Sequence, residues 1–198
     1  MPAHVEVPAA FEPGYLRSLK RAILGSRYFT THTLNRDFVQ TKGFSVVFRR
    51  GSEPEVAQAF PAFAPFLERV LRADCNAFYL NPLALQRGSR VDPHVDRSLR
   101  SYCKTVLPPV TVSVLYVAIS PALEGGELVL QRGRRQLARV RPVENTLLHF
   151  DGDLTHSIEP VRSPGERLSL VCEQYALESS ELALVPPFTL ETRARDYR

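Results

Sequence analysis

Val110-Thr111-Val112-Ser113-Val114-Leu115-Tyr116-Val117-Ala118-Ile119 is an almost unbroken run of β-branched and apolar residues, the composition of a strand buried inside a sheet. Alternation puts Val112, Val114 and Tyr116 on one face. Tyr116 would then point into a barrel, where its hydroxyl needs a partner, either a bound carboxylate or a backbone group. Arg167-Leu168-Ser169-Leu170-Val171-Cys172-Glu173-Gln174-Tyr175 reads as a second such strand. Arg167 and Ser169 share one face and Leu168 and Leu170 the other. A guanidinium in an otherwise apolar central strand suits a carboxylate held by two parallel hydrogen bonds. The alternative is a surface arginine on an edge strand.

Working outward, further strands are expected at Phe44–Phe48, Asn76–Leu80, Glu127–Gln131, Leu137–Val140 and Thr146–Phe150. Arg132-Gly133-Arg134 forms a hairpin turn, and Asn81 to Arg90 is a loop rich in turn residues leading towards His94. Two stretches carry helical periodicity: Glu12 to Leu24, stopped by Gly25, and Glu53 to Leu71, bent or divided by Pro61 and Pro65. The fold class is mainly β with supporting α-helices, a double-stranded β-helix of the jelly-roll, cupin-like kind. Residues 1–74 form an N-terminal helical support region, 75–178 the core and 179–198 a C-terminal extension without clear pattern.

At 198 residues the chain can bury a core without staples. Cys75, Cys103 and Cys172 are odd in number and lack C-x-x-C spacing, which argues against a disulfide framework and against a thiolate zinc site. No apolar run reaches bilayer length and Met1 to Pro13 has no signal-peptide pattern, so a cytoplasmic protein without a membrane partner is expected. A net charge of +4 suggests no more than a preference for anionic partners. Oligomeric state is not legible.

The chemistry lies in His94-Val95-Asp96 and His156. In an extended segment His94 and Asp96 project to one face while Val95 points away. With His156 they offer two imidazoles and one carboxylate, leaving positions open for substrate and O2, as non-haem Fe(II) oxygenases require. His149 lacks such companions and is read as structural. Asp92, Asp151 and Asp153 flank the ligands and are read as solvated carboxylates, with orientation of an imidazole the alternative.

The ordered set Tyr79, His94-Val95-Asp96, Leu115-Tyr116-Val117, Gly125-Gly126-Glu127-Leu128, His156-Ser157-Ile158-Glu159-Pro160-Val161 and Gly165-Glu166-Arg167-Leu168-Ser169 resembles the prolyl 4-hydroxylase-like branch of the Fe(II)/2-oxoglutarate-dependent dioxygenases. The resemblance covers about half the chain. It implies Fe(II) on His94, Asp96 and His156, and 2-oxoglutarate held at its distal carboxylate by Arg167 with Tyr116. Ser169 and Tyr79 are further cosubstrate candidates. It implies O2 as the second cosubstrate, ascorbate as a protector of the iron, and hydroxylation of an unactivated C–H bond with release of succinate and CO2. Retention of Asp96 favours hydroxylation over halogenation. Arginine at 167, in place of the lysine of collagen-type enzymes, disfavours collagen as substrate. Glycine usual in the turn before the distal histidine strand is absent, and Asn145 is expected to take the left-handed conformation there.

Peptidyl proline is the family's default substrate, and a free amino acid or other small carboxylate metabolite is the alternative. A nucleic-acid dealkylase is disfavoured because Glu173 stands where those enzymes carry a second arginine. A non-catalytic jelly-roll module is disfavoured by the intact ligand set. Arg97, Arg100 and Arg134 are candidate residues of a substrate mouth, steering an anionic peptide or small molecule.

Overall fold

The computed structural model describes residues 3–32 and 37–193, with the side chain of His32 outside that set. Its strands are β1 (His4–Val7), β2 (Thr30–His32), β3 (Phe38–Val39), β4 (Thr41–Gly43), β5 (Ser45–Arg49), β6 (Ala77–Leu85) and β7 (Arg90–His94). They continue with β8 (Thr111–Ile119), β9 (Leu128–Arg132), β10 (Arg135–Val140), β11 (Leu147–Asp151), β12 (Thr155–Ile158), β13 (Arg167–Tyr175) and β14 (Phe188–Glu191). The helices are α1 (Pro13–Leu24), α2 (Glu53–Ala59), α3 (Ala64–Val70) and α4 (Ser179–Leu182), with a 3-10 turn at Pro61–Phe63 dividing α2 from α3 as the two prolines require.

Two antiparallel sheets face each other as a jelly roll. The major sheet runs β1-β11-β8-β13-β6-β4-β2, with β5 also paired to β6 and β14 to β5; the minor sheet runs β10-β9-β12-β7-β3. Strand alternation divides the core. Leu115, Val117, Leu168, Leu170 and Cys172 face the helices, where Leu19, Ile23, Phe63, Phe66 and Val70 cover them. Val112, Val114, Tyr116, Leu83 and Leu85 face the space between the sheets, opposite Val91, Leu128, Leu130 and Ile158 of the minor sheet. The helices thus brace one outer face, and the inter-sheet space is left for a site.

Three sequence expectations change. Asn81 to Arg90 is not all loop, because β6 continues to Leu85 with Pro82 inside it. Pro82 is tolerated because β4 pairs with Ala84 and Leu83 while β5 pairs with Leu80 and residues before it, so its missing N–H falls between the two partners. The N-terminal region holds more than helices and the expected strand at β5: β1 pairs with β11, and β4 with β6, extending the major sheet. The C-terminal tail likewise returns as β14 along β5. These short edge strands take their register from the sheet they join, and their own periodicity is too brief to show it.

Asn145 has φ +63, the left-handed conformation expected of it. Its side chain accepts from the Phe11 amide at 2.9 Å and donates to the Phe11 carbonyl at 2.7 Å, which ties the N-terminal segment to the turn. Cys75, Cys103 and Cys172 are free and buried. Among the described residues no helix is long and apolar enough to cross a membrane.

Candidate active site

His94 ends β7, and His156 lies directly opposite it on β12. The pairing slips between His156 and Ile158, whose partner is Val91, so β7 carries an extra residue around Asp92-Pro93. Such a bulge bends the strand and re-aims the residues beyond it. Past the strand end the chain turns Asp96 inward. His94 Nε2 lies 3.2 Å from Asp96 Oδ1, and His156 Nε2 lies 3.4 Å from Asp96 Oδ2. The ligand atoms of the three residues all fall within 4.8 Å of one another, the one such group among the described residues.

Both imidazoles are oriented through their other nitrogen. His94 Nδ1 meets the Asp92 carbonyl at 2.8 Å and His156 Nδ1 meets the Leu154 carbonyl at 3.2 Å. A carbonyl only accepts, so each Nδ1 carries a proton and each Nε2 is the ring nitrogen turned towards Asp96 and the centre of the cluster. Asp92 therefore orients His94 through its backbone, while its carboxylate pairs with Arg90 at 2.8 Å. Asp151 and Asp153 pair with Arg132 on the surface, away from the cluster.

The electrostatics suit a cation. Burial works against charge on His94, yet the Asp96 carboxylate overcomes it and holds that imidazole at about 9. Burial likewise opposes the Asp96 charge, and His156 and His94 together keep the carboxylate below its usual range. Burial pushes His156 down. A dry carboxylate between two imidazoles whose Nε2 atoms face it, with the His94 proton given up when a cation takes its place, is a donor set that fits Fe(II).

Arg167 sits at the opposite end of the same cavity. That cavity, about 520 Å³ including its open mouth, is lined by His94, Asp96, His156, Arg167 and Glu173 among apolar neighbours such as Leu83, Val91 and Leu128. Arg167 is 1% exposed and has no anionic partner among the described residues. It donates to Ser169 Oγ at 3.2 Å, and its guanidinium lies 5.1 Å from the centre of the Tyr116 ring. A register shift between Leu168 and Ser169 brings Tyr116, on β8, opposite Ser169. Arg167 Nε and the Tyr116 hydroxyl are both buried with no hydrogen-bond partner. Burial lowers the guanidinium's affinity for its proton, and the neighbouring Tyr116 hydroxyl, beyond strict hydrogen-bond geometry, only partly opposes it. Leaving such groups unpaired costs several kcal/mol, so the pair fits a carboxylate, as 2-oxoglutarate would supply. Gly126 completes the seat: at φ +73, a Cβ there would lie 3.2 Å from Arg167 Cδ.

His94, Asp96, His156, Arg167, Ser169 and Tyr116 are thus brought together. Tyr79 is not. Across β6 it pairs with Glu173, whereas Arg167 pairs with Leu85, and the Tyr79 hydroxyl is bonded to Ser45. At a strand rise of ~3.3 Å per residue this leaves Tyr79 roughly 20 Å along the sheet from Arg167. His149 is bonded at 2.9 Å to Ser113 on the other side of the sheet, in keeping with a structural role. Arg97, Arg100 and Arg134 are exposed, and none lines the cavity.

Sequence reading missed Glu173, Asn81, Phe38 and Phe150 on the cavity wall. The signal for Glu173 was present: it continues the alternation of Arg167, Ser169 and Val171 on the inward face of β13. Glu173 is 4% exposed, and burial, with Asp96 adding to it, lifts its carboxyl to about 8.

Residues 79–172 match the family model described as the 2OG-Fe(II) oxygenase superfamily. No curated protein matches the chain. Among solved structures, a Pseudomonas putida prolyl-4-hydroxylase is 15% identical with a TM-score of 0.59, over 90% of this chain and 95% of that one. A 2OG-Fe(II) oxygenase family oxidoreductase from Burkholderia pseudomallei is 17% identical with a TM-score of 0.60, over 89% and 86%. A prolyl hydroxylase from Trichoplax adhaerens, solved with a hypoxia inducible factor oxygen degradation domain peptide fragment, is 14% identical with a TM-score of 0.60, over 93% and 87%.

Proposed function

We propose that the chain works as an Fe(II)- and 2-oxoglutarate-dependent oxygenase through the superfamily domain that residues 79–172 match, and we assign the residues that do the work. His94, Asp96 and His156 hold the iron; Arg167, with Tyr116 and Ser169, holds the distal carboxylate of 2-oxoglutarate. The observation that carries this assignment is a metal-ligand cluster sharing one cavity with a buried guanidinium that lacks an anion. When bound, iron and its cosubstrates supply the oxidising power to hydroxylate an unactivated C–H bond, with succinate and CO2 released.

The protein's own share is position and dryness. The Asp92 and Leu154 carbonyls hold the two imidazoles in the tautomer that presents Nε2. Asp96 contributes the negative charge that retains a divalent ion. Arg167 fixes the far end of the cosubstrate by charge-assisted bonds, with the orphaned Tyr116 hydroxyl as a further donor. Leu83, Val91, Leu128 and Ile158 line the space between and exclude water.

For the substrate, the likeness to prolyl hydroxylases supports a prolyl residue, in a peptide or as the free amino acid. Free thiols at Cys75, Cys103 and Cys172 support a reducing compartment such as the cytoplasm. Anaerobic addition of Fe(II) and then 2-oxoglutarate to the protein should produce a visible charge-transfer band, and admitting O2 should release succinate. Absence of both, with metal loading confirmed, would overturn the assignment.

A further inference from the structure

Arg167 and Glu173 occupy the two ends of the inward face of β13, and both line the one cavity that holds the metal ligands. Glu173 belongs to the strand row that continues through Val112 to Phe150, whose ring lies tilted against that of His156 with centroids 5.1 Å apart. Arg167 lies ~20 Å along the same strand. A five-carbon diacid anchored on Arg167 cannot span that length, so Glu173 stands on the substrate side of the iron.

Its partners are all neutral. Ser98 Oγ donates to one carboxylate oxygen at 2.6 Å; the Ser98 amide, at 3.4 Å, and the Tyr175 hydroxyl donate to the other. A carboxylate offers roughly four acceptor positions, which leaves one free. Among the described residues no lysine, arginine or histidine pairs with Glu173. The charge that acts on it is that of Asp96, which is negative. The charge count points the same way: with iron and 2-oxoglutarate bound, Fe(II), Asp96, the cosubstrate dianion and Arg167 sum to zero, and the Glu173 carboxylate remains uncompensated. A buried carboxyl in that position keeps its proton until a cation meets it.

We propose that Glu173 is a specificity-determining residue that receives a cationic group of the substrate, an ammonium or guanidinium, and so selects amine-bearing substrates over neutral or anionic ones. The proposal rests on the oxygenase assignment above. It departs from the expectation of an anionic substrate drawn from Arg97, Arg100 and Arg134, since those arginines are exposed and do not line the cavity, whereas the ionisable group beyond the metal ligands and Arg167 on its wall is the Glu173 carboxyl.

The test uses the Fe(II)- and 2-oxoglutarate-loaded enzyme and pairs of probes that differ in one cation. The pairs are L-proline against N-acetyl-L-proline, Nα-acetyl-L-lysine against its Nε-acetylated form, and Nα-acetyl-L-arginine against Nα-acetyl-L-citrulline. Readouts are perturbation of the Fe(II)–2-oxoglutarate absorption band and kcat/KM for succinate release. The cationic member of at least one pair should be favoured by about 30-fold or more, the low end for a desolvated charge pair. Glu173→Gln should collapse that ratio towards unity, and Glu173→Lys should invert it. If Glu173 serves only to tether the segment after Asp96 through Ser98, Glu173→Gln will instead depress all probes alike and leave the ratio intact, overturning the proposal. Equal engagement of both members, or no engagement by any, in wild-type enzyme that forms the band overturns it without recourse to a variant. Failure to form the band at all would instead strike the underlying oxygenase reading.

Discussion

Replacing Arg167 by methionine should move stability and cosubstrate affinity in opposite directions. The side chain is 1% exposed, has no anionic partner among the described residues and leaves Nε without an acceptor, so the ligand-free protein carries a buried charge it cannot compensate. Exchanging unpaired buried charge for an apolar side chain of similar volume is neutral or stabilising by ~1–4 kcal/mol. Against this, Ser169 loses the one bond it makes with Arg167, worth ~1 kcal/mol. The net for metal-free protein is ~0–3 kcal/mol in favour of the variant, a melting temperature unchanged or raised by up to roughly 10 °C for a chain of this size. With metal bound, the same exchange removes a charge-assisted pair from a dry site and should weaken 2-oxoglutarate by ~2–5 kcal/mol, roughly 30-fold to several thousand-fold. Calorimetric unfolding in chelator and anaerobic titration of the Fe(II)–2-oxoglutarate band measure the two halves separately. A variant that melts more than about 5 °C lower without ligand, with affinity little changed, would refute the reasoning and make Arg167 an ordinary packing residue.

His156→Ala should abolish iron binding and turnover together, with affinity down by at least about 100-fold, whereas His149→Ala, remote from the cluster, should retain both; equilibrium dialysis and succinate release decide. Asn145→Ala should cost ~2–3 kcal/mol in denaturant unfolding, since it forces φ +63 on alanine and removes both bonds to Phe11, and Asn145→Gly should recover part of that loss. In metal-free protein Glu173→Gln should gain stability over wild type as pH rises. A carboxyl lifted to about 8 in the folded state costs nothing below its unfolded value near 4.5 and its full penalty above 8, so the gain should grow across that window to ~2 kcal/mol or more. A flat difference between pH 5 and 9 would mean that Glu173 is not raised.

Much of the site was legible because its chemistry is concentrated in local patterns. His94 and Asp96 are two residues apart, and the alternation of Arg167, Leu168, Ser169 and Leu170 shows which face each takes on a strand that is long and strongly apolar. The division of α2 from α3 was written in Pro61. What was not legible depends on partners distant in sequence. Pro82 argues against a strand until it is known that two different strands, β4 and β5, flank it and leave a gap. The strands β1 and β14 are four residues each, too short for a period, and exist because β11 and β5 offer edges. Tyr79 pairs correctly in order with the other motif residues, yet antiparallel register carries it to the Glu173 end of β6, and sequence order holds no register.

The pairing of His94 with His156 has a further consequence for how this protein survives in a cell. The two strands that carry these ligands are roughly sixty residues apart in sequence, and their contact closes a loop whose entropic cost is settled only once. They belong to the smaller sheet, which ends on β3, a strand of two residues. An ion seated across β7 and β12 is therefore a clasp on the weaker wall of the barrel, and its occupancy adds RT ln(1 + [M]/Kd), about 2.7 kcal/mol at a hundredfold excess over Kd. Iron supply would then govern the lifetime of the protein as well as its rate, with starved molecules opening first along the minor sheet and meeting proteases there.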